Sequence, residues 1–208
     1  MVEAWFVGGV AGYLLGSIPV GLWVGRSVGG VDLRKVGSGK IGATNTLRRF
    51  GKKWSLVVFL LDGLKGVVAV LIPYLIWDSP TAEVVAGLAV IIGHIFPVFA
   101  RFRGGRGATT ALMALLVLSP PLGAIGFGLA IFFIATTRIM SAASLVTLTL
   151  VAILISVFVA LGEEPTAYYG YAWGAFTIIM ISHRDNIKRL WAGTEPRIGR
   201  MGRTHKLA

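Results

Sequence analysis

Three segments of this chain carry residue types suited to binding and aligning phosphorylated molecules. The first reads GSGKIGATN over residues 37–45. Gly37, Gly39 and Gly42 free the backbone to turn, while Ser38, Thr44 and Asn45 offer side-chain hydrogen bonds. Arg48 and Arg49 follow where a helix would begin. The second is RGGRG at 103–107, where Gly104 and Gly105 make a turn between Arg103 and Arg106, Gly107 completes it, and Thr109 and Thr110 open the next helix. An anion held there would meet backbone N–H groups, a helix N-terminus and two guanidiniums. The third, SHRDNIKRLWAGTEPRIGR, spaces His183 and Asn186 to share one face of a continuing helix. A histidine at a membrane boundary beside bound phosphate can move a proton or pair with the anion.

Each segment also has a structural reading of its own. The first serves equally as a flexible basic loop gripping anionic lipid headgroups. The second serves as a tight interhelical turn, and the third as a basic amphipathic tail on the membrane surface. The first loop does not follow the pattern G-x-x-x-x-G-K-[ST], so nucleotide hydrolysis has no support. Ser141 and Ser144 open an apolar span beside Arg138, where capping is the ordinary role and substrate binding the alternative. Asp62 and Lys65, three apart on another span, neutralise each other, in an ion pair that is either functional or structural. His94, inside the third span, reads as a packing residue, and Glu195 as a partner for a basic loop.

The elements that must position these residues are membrane spans. Hydrophobic residues make up 55% of the 208 and charged residues 14%, with mean hydropathy +0.78. Soluble domains carry about a quarter charged residues, so the class is an all-α polytopic membrane protein forming one domain over 1–208. No soluble catalytic domain fits beside the spans, so chemistry sits on loops and helix ends. Apolar stretches at 4–24, 54–77, 84–100, 109–118, 122–136, 141–161 and 168–182 predict seven transmembrane helices. The fourth and fifth are short and are separated by Ser119-Pro120-Pro121, which turns the chain back. The first stretch lacks a basic flank and is read as a retained span rather than a signal peptide. Small residues at Gly8, Gly12 and Gly16, and at Gly170 and Gly174, predict close helix approach.

Seven crossings place the loops at 25–53, 101–106 and 138, and the tail from 184 onward, on one face with every Lys and Arg except Lys65. Glu3, Asp78, Glu83, Glu163 and Glu164 fall on the other. The positive-inside rule then sets the N-terminus outside and the C-terminus in the cytoplasm. The same rule explains the net charge of +11 without nucleic acid. Cysteine is absent, which excludes disulfides, thiolate metal sites and acyl-cysteine intermediates. No cytoplasmic acidic cluster implies a hard metal ion, and no cofactor is expected.

Taken together, GSGKIGATN…R, GHIFPVF…RGGRG and HRDNIKRL…GTEP resemble the bacterial acyl-phosphate:glycerol-3-phosphate acyltransferases, the PlsY family. The resemblance runs from GSIPVG at 16–21 through GTEP at 193–196. It implies a compact helical fold in the bacterial inner membrane with its active site facing the cytoplasm. The implied reaction moves a fatty acyl group from acyl phosphate to glycerol 3-phosphate, giving lysophosphatidic acid and inorganic phosphate without a covalent enzyme intermediate. The partners are then the two substrates and membrane lipids, with no particular oligomer implied and a monomer compatible.

The resemblance places Ser38, Arg48, Ser144, His183 and Asn186 in the catalytic set. It gives Gly39, Thr44, Asn45, Arg103, Gly104, Gly105, Arg106 and Gly107 substrate-binding roles. Lys40 stands where the family usually has Asn, Arg103 and Arg106 replace lysines, and Asp185 replaces a common Glu. Two rivals explain less. An organic-phosphate transporter would show paired polar interruptions at the midplane in repeated halves, and an acyl-CoA-dependent enzyme would carry a His-x-x-x-x-Asp dyad, which His94, His183 and His205 all lack.

Overall fold

The computed structural model describes residues 1–199, and the basic tail residues Arg200, Arg203 and Lys206, with His205, lie outside them. All regular structure among the described residues is helical: α1 (Val2–Gly16), α2 (Val20–Gly29), α3 (Ala43–Trp77), α4 (Pro80–Ile95), α5 (Ala108–Leu118), α6 (Pro120–Thr137), α7 (Met140–Ala160), α8 (Tyr168–Ser182) and α9 (Arg184–Trp191). Two single turns of 3-10 helix, Leu33–Lys35 and Val98–Ala100, lie in the connections. Five stretches are long and apolar enough to cross a membrane: Val2–Gly29, Ala43–Trp77, Pro80–Ala100, Pro120–Thr137 and Met140–Ala160. Much of their apolar surface faces outward, with Leu56, Leu60, Leu64, Ile131, Phe132 and Ile153 exposed, as lipid-facing helices require.

α4 is the hub, packing against α1, α3, α5 and α8. The approach of α1 is close because its glycines have no side chain to hold the helices apart. A methyl at Gly12 would stand 2.6 Å from the Ala86 carbonyl oxygen, and one at Gly8 3.4 Å from that of Ala82. Gly170 and Gly174 likewise face Val84 and Leu88 of α4. The main core joins Val70, Ile91, Leu115, Val151, Ile155 and Ile179 from α3, α4, α5, α7 and α8.

The first apolar stretch is not one helix, as its hydropathy predicts, but two. Pro19 lacks an N–H and interrupts the ladder, so the chain breaks between Gly16 and Val20. The break exposes carbonyls that lipid cannot satisfy. Lys65 supplies the donor: its Nζ lies 3.1 Å from Gly16 O and 3.3 Å from Ile18 O, and 2.9 Å from Asp62 Oδ1. The buried pair is therefore structural in the first instance, a cation stitched into a broken helix with its counter-ion one turn away.

The bundle has two chemically distinct ends. At one, Glu83 and Leu118 O accept from the Tyr168 hydroxyl at 3.0 Å each, and Glu164 accepts from Ser119. At the other, the loops containing the three motifs meet. Arg34 Nη1 donates to Ala100 O at 2.9 Å, Ser182 Oγ to Arg106 O at 2.9 Å, and Ile198 N to Arg138 O at 2.7 Å.

Candidate active site at the basic end of the bundle

The first loop is built around one side chain. Asn45 is buried, and its Nδ2 donates to Leu33 O, Val36 O and Lys40 O at 3.1, 3.0 and 2.9 Å. Its Oδ1 accepts from Ser38 N at 3.2 Å. Asn45 therefore shapes the loop, its side chain engaged by four backbone groups. Gly37 must be glycine for two reasons, a φ of 58° and the Asn45 amide where a Cβ would stand. What the loop presents is Ser38, Lys40, the first turn of α3 with Thr44, and Arg48, half-buried and without an ion-pair partner among the described residues. Gly39, at φ 68°, spends its own N–H on Val36 O.

The second loop departs from the expected cradle. Gly104 N donates to Ile95 O at 3.1 Å and Gly105 N to His94 O at 3.0 Å, so neither amide is available to an anion. These glycines serve close packing: a Cβ on Gly104 would stand 2.6 Å from Pro97 Cδ, and one on Gly105 would overlap the His94 imidazole. The open N–H groups lie further on, where Gly107 at φ 85° caps α5 and the first helical turn lacks intrahelical acceptors. The two arginines also part company. Arg106 is half-buried among the charges of Glu195, Arg189, Arg48 and Asp185, whereas Arg103 is exposed and lines a separate cavity with Asp32, Arg34, Lys35 and Arg101.

His183 and Asn186, each 2% exposed, flank the junction of α8 and α9. His183 Nδ1 lies 2.9 Å from Ile179 O and 3.2 Å from Ser182 Oγ. A carbonyl only accepts, so Nδ1 carries the proton and Nε2 presents its lone pair. Burial pushes the imidazole down to about 4, with Arg106 and Lys40 adding to the shift against the Ile179 bond and Glu195. It is neutral at pH 7.

Glu195 organises the third motif. Its Oε1 accepts from Asn186 Nδ2 at 2.5 Å and Ser141 Oγ at 2.7 Å, and its Oε2 from Arg189 Nε at 2.7 Å. Burial would raise this carboxyl, but the bonds from Ser141, Asn186 and Arg189 outweigh it and hold the pKa below its ordinary value. Asn186 Oδ1 and Arg106 Nε are buried without a hydrogen-bond partner among the described residues.

Ser141 and Ser144 carry the same two expected roles, capping or substrate binding. Neither caps α7; Ser141 engages Glu195, while Ser144 Oγ donates back to Met140 O at 2.9 Å. Lys40 also joins the site. Burial and the nearby Arg106 and Arg184 lower its pKa, with Asp185 opposing, so it stands where the first loop meets the second and third motifs. The bond between Ser141 and Glu195 escapes sequence reasoning because 54 positions separate them. The signal for Glu195 is its place as the one acid after Asp185 in a basic tail.

The comparisons with known proteins concern the chain as a whole. The family described as glycerol-3-phosphate acyltransferase matches residues 6–193. This chain belongs to that glycerol-3-phosphate acyltransferase family. A family member from Synechococcus sp. (strain JA-3-3Ab) is 44% identical over 190 residues, 91% of each chain. One from Anaeromyxobacter sp. (strain Fw109-5) is 46% identical over 196 residues, 90% of this chain and 93% of that one. The crystal structure of PlsY (YgiH), an integral membrane glycerol 3-phosphate acyltransferase in its glycerol 3-phosphate form, superposes with a TM-score of 0.86 at 37% identity, covering 95% of this chain and 96% of that one. Its lysophosphatidic acid form gives 0.83 at 35% identity with the same coverage. The family's helical, membrane-integral architecture is thus this chain's own.

Proposed function

We propose that this chain is an acyl-phosphate:glycerol-3-phosphate acyltransferase. The observation that carries the reading is the gathering of Lys40 and Arg106, from two loops, around His183, with Arg48 beside Arg106 and Asn186 joined to the same cluster through Glu195. Two phosphorylated substrates repel each other, and such a cluster offsets that repulsion while aligning them.

In this scheme a glycerol 3-phosphate hydroxyl oxygen attacks the acyl carbonyl carbon. The C–O bond to phosphate breaks and inorganic phosphate leaves with the bonding pair. Arg48, Arg106 and Asn186 hold phosphate oxygens or hydroxyls, while Ser38, Ser144 and His183 Nε2 orient the acceptor. His183, held at about 4, retains a proton poorly at neutral pH, whereas the phosphate gains a negative charge as the C–O bond breaks and becomes the stronger base. The hydroxyl proton is therefore assigned to the departing phosphate, with His183 as its hydrogen-bond guide. Acyl phosphate brings its own leaving group, so no covalent intermediate is needed.

The same proposal sets the chain in the bacterial inner membrane with seven crossings, the basic end in the cytoplasm and the N-terminus outside. Alternation of successive helices between the acidic and basic ends supports this count, with α5 and α8 as short spans. The test is phosphate release by the purified protein in lipid, given palmitoyl phosphate with and without glycerol 3-phosphate. Release that requires glycerol 3-phosphate and equals lysophosphatidic acid formed is the expected result. Binding of glycerol 3-phosphate without release would favour a phosphate-binding or transport protein.

A further inference from the structure

A second cationic cavity opens at the basic end, lined by Arg103 of the second motif but by none of the residues given a part in the proposed reaction. It measures about 360 Å3 and is lined by Asp32, Arg34, Lys35, Arg101 and Arg103, within the roughly 300–1,000 Å3 of small-molecule clefts. Asp32 and Arg34 neutralise each other: Arg34 Nε and Nη2 donate to the Asp32 carboxylate at 2.9 and 2.5 Å, and its Nη1 is spent on Ala100 O. Lys35, Arg101 and Arg103 are left exposed, with no carboxylate partner among the described residues. Three uncompensated cations face one space, and they come from two different loops.

The backbone beside them is held in an unusual shape. Arg101 and Phe102 both adopt left-handed conformations, φ 54° and 59°, where side-chain-bearing residues are disfavoured. The turn leaves Arg101 and Arg103 on the cavity and Phe99 and Phe102 exposed, 61% and 58%. Cations lining a cleft with exposed aromatic rings alongside match an amphiphile, an anionic head with an apolar body, more closely than a soluble anion.

We propose that this cavity binds the phosphate headgroup of an anionic phospholipid of the surrounding membrane, with Lys35, Arg101 and Arg103 on the phosphate and Phe99 and Phe102 against the lipid body. The bound lipid bridges the first and second loops outside the acyl-transfer site. The inference stands independently of the proposed reaction.

Binding of phosphatidylglycerol and of phosphatidylcholine to the protein in uncharged detergent, counted by native mass spectrometry, tests it. In the double variant Lys35→Gln/Arg101→Gly, phosphatidylglycerol affinity is expected to fall about 30-fold, since each surface cation contributes roughly a fivefold factor. Phosphatidylcholine should bind weakly to both proteins. Glycine accepts the left-handed conformation at 101, so this variant should melt no lower than the wild type, separating lost binding from lost folding. The control Lys52→Gln/Lys53→Gln removes the same charge from exposed positions elsewhere. Equal losses in the two double variants, or no loss at the cavity, would overturn the proposal. Displacement of the lipid by equimolar inorganic phosphate would reassign the cavity to a soluble anion and overturn the lipid assignment.

Discussion

Asn186 Nδ2 donates to Glu195 Oε1 at 2.5 Å, tying α9 to the segment that follows it. Because Ser141 and Arg189 donate to the same carboxylate, one acid fixes both the start of α7 and the orientation of Asn186. The orientation matters: with Nδ2 committed to Glu195, Oδ1 is the atom left to face a ligand.

Replacing Glu195 with Gln removes the charge on all three bonds and gives one of the donors a competing N–H group. Charge-assisted bonds contribute about 1.5–3 kcal/mol each, so thermal unfolding should shift down by several degrees. Activity should fall with it. An unshifted unfolding midpoint in detergent would remove Glu195 from its organising role.

His183 predicts an acid-side stability loss. Its folded pKa of about 4 lies below the ordinary 6.5, so between these values the unfolded chain binds the proton and the folded chain does not. Stability is fully present above about pH 6.5 and falls as pH drops toward 4. The contribution is of order 3 kcal/mol. Unfolding midpoints between pH 4 and 7 should show a slope in the wild type that flattens in His183→Asn. His183→Ala should also lower turnover by about 100-fold or more while the protein stays folded.

Two glycines of the motifs should respond in opposite ways to alanine. A methyl at Gly105 would overlap the His94 ring, and overpacking of this kind costs about 1–3 kcal/mol. A methyl at Gly42 meets nothing within 4 Å, and its backbone is extended. Gly105→Ala should therefore melt lower and Gly42→Ala at the wild-type temperature. Equal midpoints would show that the second loop does not pack on His94 as described.

The Asp62–Lys65 pair predicts a thermodynamic cycle. Lys65→Met leaves the buried Asp62 carboxylate with only His94 Nδ1 at 3.5 Å and strips Gly16 O and Ile18 O of their donor, a loss of about 3–5 kcal/mol. Adding Asp62→Asn should recover only part of it, because the carbonyls of the broken helix stay bare. Complete recovery in the double variant would mean that Lys65 serves only as a counter-ion.

Hydropathy alone delivered the helical class, the extent of most spans and the segregation of charge, because lipid leaves a backbone few options and the pattern it demands is local. The glycine stripe on α1 was legible for the same reason, since four-residue spacing fixes a helix face wherever the helix lies. The three motifs were visible as sequence, and so was their family. Their internal division of labour was not. That Asn45 is spent on loop carbonyls, that Gly104 and Gly105 pack rather than cradle, and that Ser141 rather than Ser144 meets Glu195 depend on partners brought together from distant positions. Arg103 and Arg106 look equivalent in RGGRG, yet the buried turn between them sends one to the Glu195 cluster and the other to a separate cavity. The stretch at 4–24 reads as one span, and only the tertiary structure shows the break at Pro19 and places Lys65 where it repairs it. A hydrogen bond's donor and acceptor are chosen by geometry in three dimensions, and no spacing along the chain encodes that choice.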